Sequence, residues 1–262
     1  MLMSDFILGH HDIGYKAVFT GGTWATGLGL EMFNRQLITA VARTLDTTSF
    51  DLDITLQSSI DIEVLGLVNH NLSSTGTYQW RAYQDSGRTI LLYDSGSIIA
   101  GNYYDAMQYQ TDVVATDQSY DTVYWRLTLD DVGNPQGFYS IGRLFLGERF
   151  YPDRNMKYGL ALGVEETNSD LNTSQVGIET FVDAPNKRTA VFSFDLMRYD
   201  KGNDFFRFSM RNGIIGACLF EFNPEDKQEG LRTFICRQKT LNPLNYVSYN
   251  INEFSIGLVE II

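Results

Sequence analysis

Apolar and polar positions alternate with period two through much of this chain. Val123, Trp125, Leu127 and Leu129 alternate with Tyr124, Arg126, Thr128 and Asp130, the pattern of a strand with one buried face. The turn-dense Asp130–Pro135 follows, and the apolar run Phe138–Leu146 ends at Gly147, which together predict a hairpin closing a β-sandwich. Leu52, Ile54 and Leu56 predict a strand, as do Ile60, Ile62 and Val64 running on to Val68. Asn69–Ser74 reads as a polar turn, Tyr78, Trp80 and Ala82 as the next strand, and Thr89–Tyr93 as a short one between Asp-Ser-Gly turns. Residues 97–121, rich in Tyr and Asp, read as a long loop.

The other segments are less regular. Residues 1–30 are rich in glycine and small polar residues and read as an extended arm. Residues 31–46 mix helical spacing with β-branched residues, giving a short helical turn at most. Tyr151–Asn155 breaks the alternation, so residues 151–158 are taken as a linker. Beyond it, Ala190–Met197, Cys218–Phe222, Leu231–Arg237 and Phe254–Ile262 predict strands. Residues 203–212 predict a short helix stopped at Asn212-Gly213, although Phe206, Phe208 and Met210 also fit a strand. The expected fold is mainly β: a jelly-roll β-sandwich over 31–150, then a smaller β-rich (α+β) domain over 159–262 with one short helix.

A formal net charge of −12 argues against a nucleic-acid surface or an anionic membrane as partner. No run approaches the ~18 apolar residues of a spanning helix, and Met1–Asp5 lacks the basic start of a cleaved leader, so synthesis in the cytoplasm without classical export is expected. Cys218 and Cys236 lie in apolar runs and read as buried small hydrophobes; a bridge would need their strands to be neighbours.

No catalytic constellation assembles. Gly27-x-Gly29 lacks the third glycine and the strand-to-helix setting of a phosphate loop. His10-His11-Asp12 has no partner cluster for a metal and reads as a solvated segment. Asp130-Asp131 and Glu165-Glu166 point to opposite faces on strands, so neither pair converges on one bond. Asp51 and Asp53 share a face, read as a solvated edge. Arg126 and Arg143 are expected to pair in place with Asp130 or Glu148, or with a neighbouring subunit. Trp80 and Trp125 fall on apolar faces and read as core, while Trp24, in the glycine-rich arm, reads as a subunit or ligand contact. Neither an enzyme activity nor a cofactor or metal is expected.

The order of several motifs resembles minor tail and tail-tip structural proteins of tailed bacteriophages, in which a discoidin-like (galactose-binding-like) jelly roll precedes a small β-rich domain. The motifs are Val41-Ala42-Arg43, Phe50–Asp53, Leu67–Ser73, Trp80-Arg81, Leu92–Gly96, Tyr124–Leu127, Ile141–Gly147 and Arg154–Gly159. The resemblance implies a virion component, made in the host cytoplasm, that assembles with copies of itself and other tail proteins. The alternative is a module recognising a host surface glycan. Discoidin-like domains bind through loops at one end, so the resemblance implies ligand or subunit contacts at Asn69, His70 and Asn71 and at the tyrosine-rich loop with Tyr103, Tyr104, Tyr109 and Tyr120.

Overall fold

Alternating strands of this length need a second layer to cover their apolar faces, and the chain supplies it by sending successive strands to opposite sheets. The computed structural model describes residues 6–101, 109–157, 159–166, 171–173, 179–181, 186–225 and 230–262. Its first half runs β1 (Ile7–His10), β2 (Val18–Thr20), β3 (Ala42–Arg43), β4 (Phe50–Thr55), β5 (Asp61–His70), β6 (Thr77–Tyr83), β7 (Leu91–Asp94), β8 (Ile98–Ile99), β9 (Thr111–Asp121), β10 (Tyr124–Asp130) and β11 (Ser140–Arg149). The second half runs β12 (Ala161–Glu165), β13 (Leu171–Thr173), β14 (Glu179–Phe181), β15 (Lys187–Arg198), α1 (Tyr199–Asn212), β16 (Cys218–Glu221), β17 (Thr233–Gln238), β18 (Asn245–Ser248) and β19 (Ile251–Glu260). The fold is mainly β, as expected.

One sheet of the sandwich has the order β2-β4-β10-β6-β7, with β8 also on β6. It faces β11-β5-β9, and the chain crosses between the two layers in jelly-roll fashion. Trp80, Trp125, Tyr78, Leu52, Ile54, Leu127 and Leu129 from one layer meet Ile62, Leu65, Leu67, Leu144 and Leu146 from the other in a closed core.

The expected hairpin does not form. β10 pairs with β4 and β6, whereas β11 pairs with β1, β3 and β5, so the turn after Asp130 carries the chain from one sheet to the other. Arg126 therefore meets Asp53 at 2.6 Å and Asp51 at 3.1 Å across the β10–β4 ladder, and Asp53 also meets Arg88. The two aspartates share a face and Asp51 is exposed, but they sit on an interior strand facing arginines where an edge was expected.

The segment expected to be an arm is structural. β1 pairs with β16 on one side and β11 on the other, joining both halves in one eleven-stranded sheet ordered β12-β15-β19-β17-β16-β1-β11-β5-β9, with β18 on β19 and β3 on β11. The sheet curls, so that β17 and β9 come into contact. Enclosed between them are Ile7, Val64, Val68, Val113 and Phe145 of the first half with Leu219 and Ile235 of the second. Asp12, expected in solvent, is buried with Arg143: the guanidinium donates to Asp12 Oδ2 at 2.6 and 3.0 Å, and Oδ1 accepts from the Gly14 and Leu146 amides.

The second half has its own aromatic core of Phe192, Phe194, Phe205, Phe208, Phe220, Phe234 and Phe254 beneath α1. α1 starts at Tyr199, four residues ahead of the expected Asn203, because the chain leaves β15 directly into it. It ends where expected, with Gly213 at φ 56°. Cys218 and Cys236 stand opposite one another on β16 and β17, both buried as free thiols, and burial pushes Cys218 up to about 12. Among the described residues no helix is long and apolar enough to cross a membrane.

Candidate functional site

The loop end that the resemblance singles out is committed to internal bonds. Asn69 and His70 close β5 instead of forming a turn, and Asn69 Nδ2 donates to the Ile38 carbonyl. His70 is buried, its Nε2 3.3 Å from Asp112 Oδ2 and its Nδ1 accepting from the Leu72 amide. Asn71 accepts from the Ser140 amide and donates to the Phe138 carbonyl and Gln136 Oε1. Asp131 accepts from the Ser73 amide and hydroxyl and from Asn134 Nδ2. These bonds staple the β5–β6 connection to the β10–β11 connection.

The other expected contacts are dispersed. Tyr103 and Tyr104 lie outside the described residues. Tyr109 packs against the Val113 and Phe145 cluster. Tyr120 is in β9 where a loop was expected, buried against Tyr93 with its hydroxyl donating to Asp117 Oδ1 at 2.8 Å. Trp24 is half-buried, its Nε1 donating to the Gly21 carbonyl and its ring edge-on to Phe33 and Phe50.

A cleft of about 320 Å³ opens instead at the seam between the halves. The β1–β11 register sets His10 beside Glu148 and Gly9 beside Arg149, and the chain continues past Arg149 through Phe150 to Tyr151. Helix spacing brings Lys201, Asp204, Phe208 and Arg211 to one side of α1, with Arg207 next to them. The His10 and Phe208 rings meet edge to face at 5.1 Å, and Arg211 grips both oxygens of Glu148 at 2.7 and 2.9 Å while His11 Nδ1 reaches the same carboxylate at 2.7 Å. These contacts hold α1 against the β1–β11 seam.

Two lining residues carry unmet bonding capacity. His10 is only 7 % exposed, and among the described residues its Nδ1 has no hydrogen-bond partner. Burial chiefly lowers its pKa from 6.5 to about 4; Glu148 opposes this, and His11 and Arg211 add to it. The ring is therefore neutral at pH 7, with one nitrogen a donor and the other an acceptor. Arg149 Nε is likewise buried without a partner among the described residues, and its guanidinium lies 4.6 Å from the centre of the half-exposed Tyr151 ring. Both carboxylates of the cleft have cationic partners, Glu148 in Arg211 and Asp204 in Lys201 and Arg207, and His11 Nδ1 lies 2.7 Å from Glu148 Oε1.

Nothing in the sequence marked this cleft. His10 and His11 were conspicuous, but their neighbours lie about 140 and 200 residues downstream, and only the pairing of β1 with β11 and the docking of α1 assemble them.

No protein-family model matches the chain, and no curated protein does. Solved structures similar to it include the family 32 carbohydrate-binding module from C. perfringens NanJ in complex with galactose, 16% identical over 54% of this chain and 100% of that one, TM-score 0.40. Another is chitosan-binding module 1 of a chitosanase/glucanase from Paenibacillus sp. IK-5, 16% identical over 53% of this chain and 100% of that one, TM-score 0.43. A third is a Streptococcus pneumoniae fucose-binding module, 12% identical over 52% of this chain and 97% of that one, TM-score 0.39. Likenesses at this level add nothing to the strand topology already described.

Proposed function

We propose that this chain is a non-catalytic saccharide-recognition protein that binds its ligand in the cleft between β1, β11 and α1. One observation carries the reading: a ligand-sized cleft lined by polar groups with two unpartnered buried nitrogens, His10 Nδ1 and Arg149 Nε, beside the accessible ring of Tyr151. Sugars present hydroxyls at fixed spacing around an apolar ring face, and sites for them combine planar hydrogen-bonding groups with an aromatic surface. A glycan array probed with the intact chain and with Tyr151→Ala tests this. Binding of at least one glycan class, lost in the variant, is expected; no binding to any glycan by the intact chain overturns it.

A second reading, a structural component of a phage virion tail that docks on copies of itself and on other tail proteins, is favoured by a different feature. Phe206 and Met210 on the outer side of α1, with Ile214 and Ile215 just after it, are exposed to 54, 72, 47 and 86 %. Single exposed apolar residues are ordinary, but a grouped set marks a contact surface. On this reading the purified chain self-associates, and Phe206→Asp with Met210→Asp returns it to a monomer in analytical ultracentrifugation; a monomer from the outset removes the support.

A further inference from the structure

The charges around the cleft run against those of the molecule. The chain carries −12 overall, yet the lining has four cations, Arg149, Lys201, Arg207 and Arg211, against two carboxylates, Glu148 and Asp204. The six are not equally engaged. Arg211 is bound tightly to Glu148, at 2.7 and 2.9 Å. Lys201 and Arg207 share the single carboxylate of Asp204 at 3.4 and 3.6 Å, and the Arg207 side chain is 80 % exposed. Long, wet pairs of this kind contribute little and exchange readily for a better partner. Among the described residues of the lining, one carboxylate between two cations leaves a positive charge unspent on this side of the cleft.

We infer that the ligand of this cleft is an acidic sugar, a pyranose bearing a carboxylate, whose charged group is received by Arg207 and Lys201 while its ring and hydroxyls lie against Tyr151 and His10. This rests on the saccharide reading above and adds the charge of the ligand to it. A carboxylate matches the planar Arg207 fork and forms charge-assisted bonds, stronger than a neutral hydroxyl makes. The neutral His10 ring adds no charge of its own to the cleft. A chain of net negative charge repels acidic polymers generally, so a local cationic cleft also makes the contact selective for this one place.

The test compares methyl β-glucuronide with methyl β-glucoside, which differ only in the carboxylate at C6, by ligand-observed NMR titration of the intact chain at low and moderate salt. Sodium acetate serves as a third probe. The glucuronide is expected to bind about tenfold more tightly than the glucoside, with the difference shrinking as salt rises. Arg207→Gln is expected to bring the glucuronide down to the glucoside's affinity, whereas Arg35→Gln, an exposed cation outside the cleft, keeps the preference. Equal binding of the two glycosides overturns the inference and leaves the saccharide reading standing. Failure of every glycoside, on this titration and on the array, overturns both. Acetate binding as tightly as the glucuronide overturns the sugar part, and equal loss in the Arg35 variant overturns the placement. Matching thermal midpoints establish that the variants are folded.

Discussion

At the scale of single residues, two of the buried ionisable groups, Asp12 and His10, are accommodated by opposite means. Asp12 is met by the Arg143 guanidinium and two backbone amides. Removing either partner of such a pair leaves a bare buried charge, a loss of about 3–5 kcal/mol. Among the described residues His10 has no carboxylate within bonding distance, burial keeps it neutral, and this makes stability depend on pH. Because the folded pKa lies below the unfolded one, the unfolded chain takes up the proton first as pH falls. The contribution is fully present above pH 6.5 and is lost as pH falls through about 4. A depression from 6.5 to about 4 corresponds to on the order of 3 kcal/mol. Urea midpoints measured from pH 7.5 to 4.5 are expected to fall more steeply for the parent than for His10→Gln; parallel curves would show that His10 titrates normally. Trp80 and Trp125 were legible as core because alternation states which face a residue occupies. The fates of His10 and Asp12 were not, because nothing local announces partners such as Arg143, 131 residues away.

At the scale of elements, strand existence was written in the period-two pattern and strand partnership was not. Val123 to Leu129 fixes a buried face equally well whether β10 lies beside β11 or beside β4. A cross-strand pair such as Arg126 with Asp53 decides the register, and 73 residues separate the two in the chain. The helix shows the same limit. Its stop at Gly213 could be read, but its seating depends on a contact with β19. Gly202 faces the sheet, and a methyl group there would collide with the side chain of Asn252, which is fully buried and whose Nδ2 and Oδ1 have no partners among the described residues. In an open helix Gly→Ala would stabilise by roughly 1 kcal/mol. Here overpacking wins, and a net loss of about 1–2 kcal/mol is expected. The loss should be recovered in Gly202→Ala with Asn252→Ala, which removes the obstruction and two unbonded polar atoms together. Chemical denaturation of the three variants measures this, and additive effects in the double variant would mean that the two residues do not meet.

At the scale of the whole molecule, the question is whether the two halves fold as one unit. The break at Tyr151–Asn155 suggests a linker, and each half has its own aromatic or aliphatic core. Against this, β1 hydrogen-bonds to β16 on one edge and β11 on the other, so separating the halves strips one ladder of a central strand. It also divides the third core, where Leu219 comes from one half and Ile7, Val64 and Phe145 from the other. Deleting a buried leucine side chain typically costs about 2–5 kcal/mol, so exposing several such residues would consume most of a domain's stability. The chain carries its own reporters for the two halves. All three tryptophans, Trp24, Trp80 and Trp125, precede the break, and both cysteines, Cys218 and Cys236, follow it. Tryptophan emission therefore follows the sandwich, and reaction of the buried thiols follows the sheet beneath α1. The two signals are expected to change at the same urea concentration. Leu219→Ala is expected to move both midpoints down together, although its side chain lies on the opposite half from every tryptophan. Two separated transitions, or a Leu219 variant that shifts the thiol signal alone, would mean that β1 is a detachable bridge and that the seam bearing the cleft opens independently of either core.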